Sequence, residues 1–432
     1  MTEQFASFRT LYRRIPADFY EKAAFFLTGA MILLLFFELV SQFFFHIFLF
    51  RVWLVVLGGL AEGLGLLWLG KKLFLPEEKG ALTLCDMALG AMLLWSILST
   101  VLSPDPAYCF IGSNYRVEGL STYLIYASFF LCCRMIRDPG RITELLWLFC
   151  GTGSVLALVT LLQTFPFFLA FLEYCGMNTG YLQTGNLNCI YENTNHFAYL
   201  LTMVLMATGG LCLTGSRRSQ ILGLVLFGLN LFTLIKNNTL GCFLAVGCGL
   251  LFLGVLTLIR GEGLVRRWLP LFGVFAAITL LSQIADPTLF LSTQSALDVL
   301  QGEAVDELSV GPRLQMWAES LALILQRPLL GYGPEGSGVI FLGIGLDRPH
   351  NEYIQYALYL GIPGAALYLT ALISLLVRCL GSLKRLPLEG LILGGMVFAY
   401  CVSAFVGNSM YNTTIYFFCF LGMLAGIRAR AR

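Results

Sequence analysis

The sequence predicts an all-α protein that crosses a membrane about twelve times and carries one large polar loop; three observations lead there. Hydrophobic residues make up 58% of the chain against 12% charged, with a mean hydropathy of +0.79, more apolar side chain than a water-facing domain can hide. The apolar residues fall in runs of about 20, the length needed to cross ~30 Å of hydrocarbon at ~1.5 Å per residue. Basic residues alternate between rich and poor intervals, as retention of Lys and Arg on the cytoplasmic side requires.

On this reading 1–432 is a single integral-membrane domain. The spans lie near 23–45, 48–70, 81–102, 119–135, 145–165, 196–213, 220–235, 239–259, 268–285, 350–377, 388–407 and 413–427. The first is too long for a signal-peptide core and is read as a retained helix. With both termini cytoplasmic, 21 of the 27 basic residues fall inside. The six left outside are Arg51, Arg116, Lys236, Arg313, Arg327 and Arg348. Adding or losing an early span would invert every later loop, so count and orientation support each other. The polar interval 286–349 then lies outside.

Those six cations stand where basic residues are otherwise depleted, which makes them candidates for gripping an anion. Glu118, Glu319 and Asp347 are placed to orient guanidinium groups by bidentate pairing. For Arg51 and Arg327 local pairing or lipid phosphate is the favoured reading. Two carboxylates lie at membrane depth. Glu38 is near enough to the outer end to reach the interface. Glu62, beside Gly58, Gly59, Gly63 and Gly65, suits a neutral acid at a tight helix contact.

The loop 103–119 is broken by Pro104, Pro106 and Gly112 and ends with Arg116 and Glu118 above the fourth span. The loop 166–195 ends in Tyr191-Glu192-Asn193-Thr194-Asn195-His196, where the asparagines either contact a ligand or cap the sixth span. In the large loop a helix is expected from about Arg313 to Gln326, with Arg313 and Trp317 on one face. The segment GYGPEGSG after it is expected to leave backbone N–H groups open to an anion such as a diphosphate. His350 and Asn351 follow at a helix start, which favours negative charge. Most of the 13 cysteines behave as small buried apolar residues, without metal-ligand spacing. Cys175 and Cys189 share one external loop, either as a disulfide or as two free thiols. Neither a regular Asp, Glu or His relay nor a strong internal repeat points to a proton-driven transporter.

The ordered set Gly311, Arg313 and Trp317, then Pro328-Leu329-Leu330-Gly331-Tyr332-Gly333-Pro334, His350-Asn351-Glu352-Tyr353 and Gly361-Ile362-Pro363-Gly364 resembles the O-antigen ligase and polymerase family. The GSNYRVEGL stretch and Asn193-Thr194-Asn195 look like that family's external-loop signatures. The resemblance implies a GT-C-like membrane glycosyltransferase on the outer face of the cytoplasmic membrane, with short helices in its large extracytoplasmic loop. Such an enzyme moves a glycan from undecaprenyl diphosphate to a glycan, glycolipid or protein acceptor, using no nucleotide cofactor, catalytic metal or nucleic acid. The family's Ser-Arg-Gly element after the seventh span is replaced here by Lys236-Asn237-Asn238-Thr239-Leu240-Gly241, so Lys236 stands in as a point charge or the cation is missing.

His350 is then the expected general base, since an imidazole titrates near neutrality, and Arg313 the catalytic cation. Arg348 and Arg116 would hold the leaving diphosphate. Glu118, Asn193, Asn195, His196, Trp317, Asn351 and Lys236 complete the expected substrate contacts, with Glu352 as a positioning group. Trp317 either stacks on a sugar or anchors its helix at the interface. A glycolipid flippase is the competing reading. Ligase or polymerase, the sugar and the acceptor stay open.

Overall fold

A computed structural model describes residues 2–16, 18–45, 48–75, 82–114, 116–177, 187–191, 193–261, 263–288, 291–294, 310–337 and 348–427. It is 79% helix and has no strand among the described residues. The helix α1 (Thr2–Arg14) lays Phe8 and Tyr12 against Phe74 at the end of α3. The first two spans are α2 (Phe19–Phe45) and α3 (Phe50–Phe74). They are tied by Glu38, which is buried and accepts from Leu49 N at 3.0 Å and Gln42 Nε2 at 2.8 Å. Glu38 is therefore a structural staple rather than an interfacial carboxylate. Glu62 is exposed, with open space beside Gly59 and Gly63, while Gly58 and Gly65 make the contacts to Ile125 and Leu131. The expected tight contact thus forms one helix face away from the acid.

A capping box between Thr83 and Asp86 starts α4 (Leu84–Val101). Asp105 caps the short α5 (Pro106–Ile111), whose proline at the first turn needs no donor. Then come α6 (Leu120–Cys133), α7 (Pro139–Leu162) and α8 (Pro166–Tyr174). Every residue of α9 (Thr194–Leu211) from His196 onward is buried, so this helix forms the axis of the bundle, packed by α7, α10 (Arg217–Asn237), α11 (Leu240–Arg260) and α15 (Leu388–Ser403). The last helix α16 (Thr414–Gly426) is likewise buried throughout and lies on α6 and α15. The remaining helices are α12 (Leu264–Ala285), α13 (Val310–Gln326) and α14 (Glu352–Gly381).

Nine of these helices are long and apolar enough to cross a membrane: α2, α3, α4, α7, α10, α11, α12, α14 and α15, the last counted with its extension to Val406. The chain is a multi-pass membrane protein. The other three expected spans coincide with α6, α9 and α16, which do not meet that measure. The loop helix spans Val310–Gln326, close to expectation. Most of the large loop, with Gly338 and Asp347, lies outside the described residues, as does Glu192 in the loop before α9.

Inside α14 the backbone breaks at Gly361, whose φ of 70° only glycine adopts cheaply. Pro363 follows; its ring has no N–H and crowds the carbonyl four residues back. The carbonyls released are taken by neighbours. Tyr332 N donates to Leu358 O at 3.1 Å, Gly333 N to Tyr359 O at 2.9 Å and Trp95 Nε1 to Leu360 O at 2.9 Å. Ser99 Oγ joins Leu330 O and Tyr359 O at 2.6 and 3.0 Å. The glycine-rich segment therefore spends its N–H groups at Tyr332 and Gly333 on the broken helix, which replaces the expected open anion cradle. Cys175 is exposed and Cys189 buried, and both are free thiols.

Candidate functional site at one end of the bundle

The loops before α6, α9 and α14 and after α15 converge on one end of the bundle. Arg348 lies there, only 3% exposed. Its Nη1 donates to Ser409 O at 2.8 Å, and its Nη2 is 3.4 Å from Met410 Sδ and 3.6 Å from Glu335 Oε1. Its Nε has no hydrogen-bond partner among the described residues. A buried guanidinium N–H without an acceptor is costly, and a bound anion would satisfy it.

Ser409 is the hub of this cluster. Its Oγ donates to Glu118 Oε2 at 3.0 Å and accepts from Gln355 Nε2 at 2.8 Å, while its N–H reaches Gln355 Oε1 at 3.3 Å. Tyr126 donates to the other Glu118 oxygen at 2.6 Å. Burial holds the Glu118 carboxyl up at about 8, against the opposing pull of Arg348. A protonated Glu118 at neutral pH leaves Arg348 with surplus positive charge. Glu335 also accepts from Ser113 N, which locks the 103–119 loop to the glycine-rich segment.

His350 sits beside Arg348 with φ of 47°, an uncommon value for a residue other than glycine. Its Nδ1 is 3.2 Å from the Asn408 amide. Trp317 Nε1 donates to Pro349 O at 2.6 Å, tying α13 to the residue before His350. Burial first, then the positive charges of Arg313, Arg348 and Arg116, lower the His350 pKa to about 4. The ring is neutral at physiological pH. Asn351 Oδ1 accepts from Tyr353 N and Ile354 N at 3.1 Å each, capping α14. Glu352 is buried and receives hydroxyls from Tyr368 at 2.6 Å and Tyr400 at 2.8 Å.

A cavity of about 480 Å³ opens beside Met410, lined by Glu38, Arg51, Tyr191, His196, Tyr411 and Asn412 among others. His196 Nδ1 and Asn412 Oδ1 are buried without hydrogen-bond partners among the described residues. Arg51 lies 5.4 Å from the Tyr411 ring centroid and donates to Tyr411 Oη at 3.2 Å.

Among the expected site residues, Arg348, Glu118, His350, Asn351 and Trp317 come together, with Arg313 and Arg116 close enough to act electrostatically on His350. His196 reaches the cavity wall. Asn193 caps α9 through Asn195 N at 2.8 Å, and Asn195 Oδ1 accepts from Thr239 at 3.4 Å, so capping and interhelix roles occupy both. Lys236 stands apart, bonded to Asp286 at 2.8 Å in a separate cavity of about 280 Å³. Asp286 is drawn down to about 2 by that partner. Sequence reasoning missed Glu335, Gln355, Asn408 and Ser409, and it placed Arg51 outside the site. The signal was present in the polar run Asn408-Ser409-Met410-Tyr411-Asn412, which interrupts two apolar helices.

The fold and the cluster define a multi-pass helical membrane protein with a cationic, histidine-containing site. Residues 201–369 match the family model described as O-antigen ligase, which bears out the resemblance read from the motifs. The match supports O-antigen ligation or polymerisation of polysaccharide as the activity class. It includes Arg313, Arg348 and His350 and leaves out Arg116, Glu118 and Asn193. No curated protein matches the chain significantly.

Proposed function

We propose that the protein transfers a glycan from undecaprenyl diphosphate to an acceptor hydroxyl at the outer face of the cytoplasmic membrane, within a GT-C-like bundle of twelve spans whose termini are cytoplasmic. The observation that carries this reading is the buried Arg348 with an unpartnered N–H beside a neutral His350, inside the matched family region.

In the proposed step an acceptor oxygen bonds to the anomeric carbon, the bond from that carbon to the diphosphate oxygen breaks, and its electron pair leaves with the diphosphate. Arg348, Arg313 and Arg116 supply positive charge to the departing group. The acceptor proton goes to His350. Asn408 sets which ring nitrogen takes it. Placed with its oxygen toward His350, Asn408 accepts Nδ1–H and leaves Nε2 bare; the opposite placement strands a buried Oδ1. Glu118, Ser409, Gln355 and Glu335 hold the Arg348 guanidinium, and Asn351 fixes the start of α14. His196 and Trp317 border the sugar, with the cavity by Arg51 receiving it. Asn193, Asn195 and Lys236 then act through structure rather than through substrate.

The test is purified protein given a glycan on undecaprenyl diphosphate together with an acceptor. Released lipid diphosphate and an extended or newly glycosylated acceptor support the reading. Lipid that changes leaflet with its glycosidic bonds intact supports a flippase instead and overturns it. A ladder of products indicates polymerisation, whereas one glycan moved to a different molecule indicates ligation.

A further inference from the structure

The side of α3 turned away from the bundle carries a group that hydrocarbon does not tolerate alone. Glu62 is exposed there, near the centre of a helix that runs from Phe50 to Phe74. It stands about 18 Å from the start of that helix at ~1.5 Å per residue, so close to the middle of the ~30 Å apolar layer. The nearest ionisable residues on α3, Arg51 and Lys71, are about 16 and 14 Å away along the axis. A glutamate side chain cannot cover that distance to reach them or the lipid headgroups. Among the described residues, no other exposed ionisable side chain lies in the middle of any of the nine spans. Such a group in a span is costly and ordinarily faces a partner or water.

The surroundings of Glu62 show what kind of partner fits. On the other side of α3, where α2 and α6 pack, glycine is used for close approach: a Cβ at Gly58 would stand 2.7 Å from Ile125 and one at Gly65 3.8 Å from Leu131. Gly59 and Gly63 face outward with Glu62 and have nothing within 4 Å. Two small residues spaced by four let the backbones of two spans come together. Val56, Leu60, Leu66 and Leu67 are exposed and continue the same face. A carboxyl group that carries a proton both donates and accepts, so it complements an identical carboxyl. A two-fold axis sets a residue against the same residue of a second copy, and the match then needs no other sequence.

We propose that two copies of this chain associate in the membrane through α3, crossing at Gly59 and Gly63, with their Glu62 carboxyl groups hydrogen-bonded to each other across the axis. The inference does not depend on the glycan-transfer reading. Phe50 and Arg51, in the first turn of the same helix, line the cavity beside the candidate site, so the pairing sets the two cavities on either side of the shared interface.

The test is full-length protein carrying one fluorophore in lipid vesicles, counted by single-molecule photobleaching as the lipid-to-protein ratio rises. Wild type should pass from pairs to single copies on dilution. Glu62→Leu suits a lipid-facing position, and Gly59→Ile and Gly63→Ile fill space that holds no atom of the same copy, so all three are expected to fold. Each should raise the dissociation constant roughly tenfold or more. Glu62→Gln, which still donates and accepts, should stay within about threefold of wild type. Leu281→Ala on the exposed face of α12 controls for any lipid-facing change. Wild type that is single at every dilution, pairs that survive all three variants, or pairs lost as readily in Leu281→Ala would overturn the proposal. A photoactivatable residue at position 60 then identifies the occupant in native membranes, where a crosslink from α3 to α3 of a second copy is expected. Crosslinks only to lipid, or only to a different polypeptide, assign this face to another occupant and sink the proposal.

Discussion

Arginines at the two ends of the bundle are held in opposite ways. At the end away from the candidate site, Arg378 donates to Ala425 O and Ile427 O at 3.0 and 2.9 Å, Arg267 to Leu213 O at 3.0 Å, and Arg260 to Leu386 O. These groups close helix ends whose carbonyls have no partner of their own. Arg134, also buried, is matched by Asp86 in direct contact. At the site end Arg348 has its carboxylate 3.6 Å away and a nitrogen left over. The comparison separates arginines that finish the fold from one kept unfinished, and the unfinished one is where a ligand gains most.

The sharpest way to break that comparison is to remove the reacting groups. His350→Ala should lower turnover by ~10²–10⁴-fold, the usual worth of a general base, with elution as a monodisperse species unchanged; full activity would remove His350 from the chemistry. Arg348→Ala should cost on the order of 10²–10³ in kcat. Arg348→Lys should recover only part of it, because an ammonium lacks the planar fork. Arg134→Ala inverts the pattern: breaking its buried pair should cost about 3 kcal/mol of stability, read as a lower Tm, while turnover per folded molecule holds. If Arg134→Ala and Arg348→Ala behave alike, the distinction fails.

Smaller effects sharpen the picture. Asn408→Ala should reduce kcat roughly tenfold, because the imidazole loses the group that sets its tautomer. In the proposed step the neutral imidazole is the base, and its pKa of about 4 lies below the ordinary histidine value. Activity should therefore persist as pH falls from 7 to 5 and fade only through about 4. An acid limb centred near 6.5 would show that the site leaves His350 unperturbed. The smallest change is expected for Glu118→Gln at neutral pH, since Glu118 already carries its proton below about 8; the two proteins should diverge as the pH rises past that value.

Much of this was legible in the chain because apolar length and the bias of Lys and Arg are cumulative signals. Arg313 and Arg348 stood out as cations in an interval otherwise poor in them, and His350 as one of three histidines in the chain. What escaped depended on contacts between distant segments. Glu335 looked like one residue of a flexible glycine turn, yet it faces Arg348 from across the site. Ser409 and Asn408 bear no charge, and the polar run that holds them between two apolar helices is the one local mark they carry, easily taken for an ordinary interhelix turn. Lys236 was selected for its place in a family pattern, whereas Asp286, 50 positions later, claims it. Glu62 was placed by its glycine neighbours, but the contact is made by a different pair of them.

The break at Gly361 has one last bearing. Because α14 surrenders its own carbonyls to Tyr332 and Gly333, the glycine-rich segment and the helix carrying His350 at its start are stitched into one unit. Any displacement of that segment drags Glu335 along, and so the counter-charge of Arg348. A methyl group at residue 361 would collide with Leu329 O, pulling the stitch apart far from the reacting atoms. Damage there should resemble a detuned catalyst more than an unfolded one: substrate still captured, chemistry slowed.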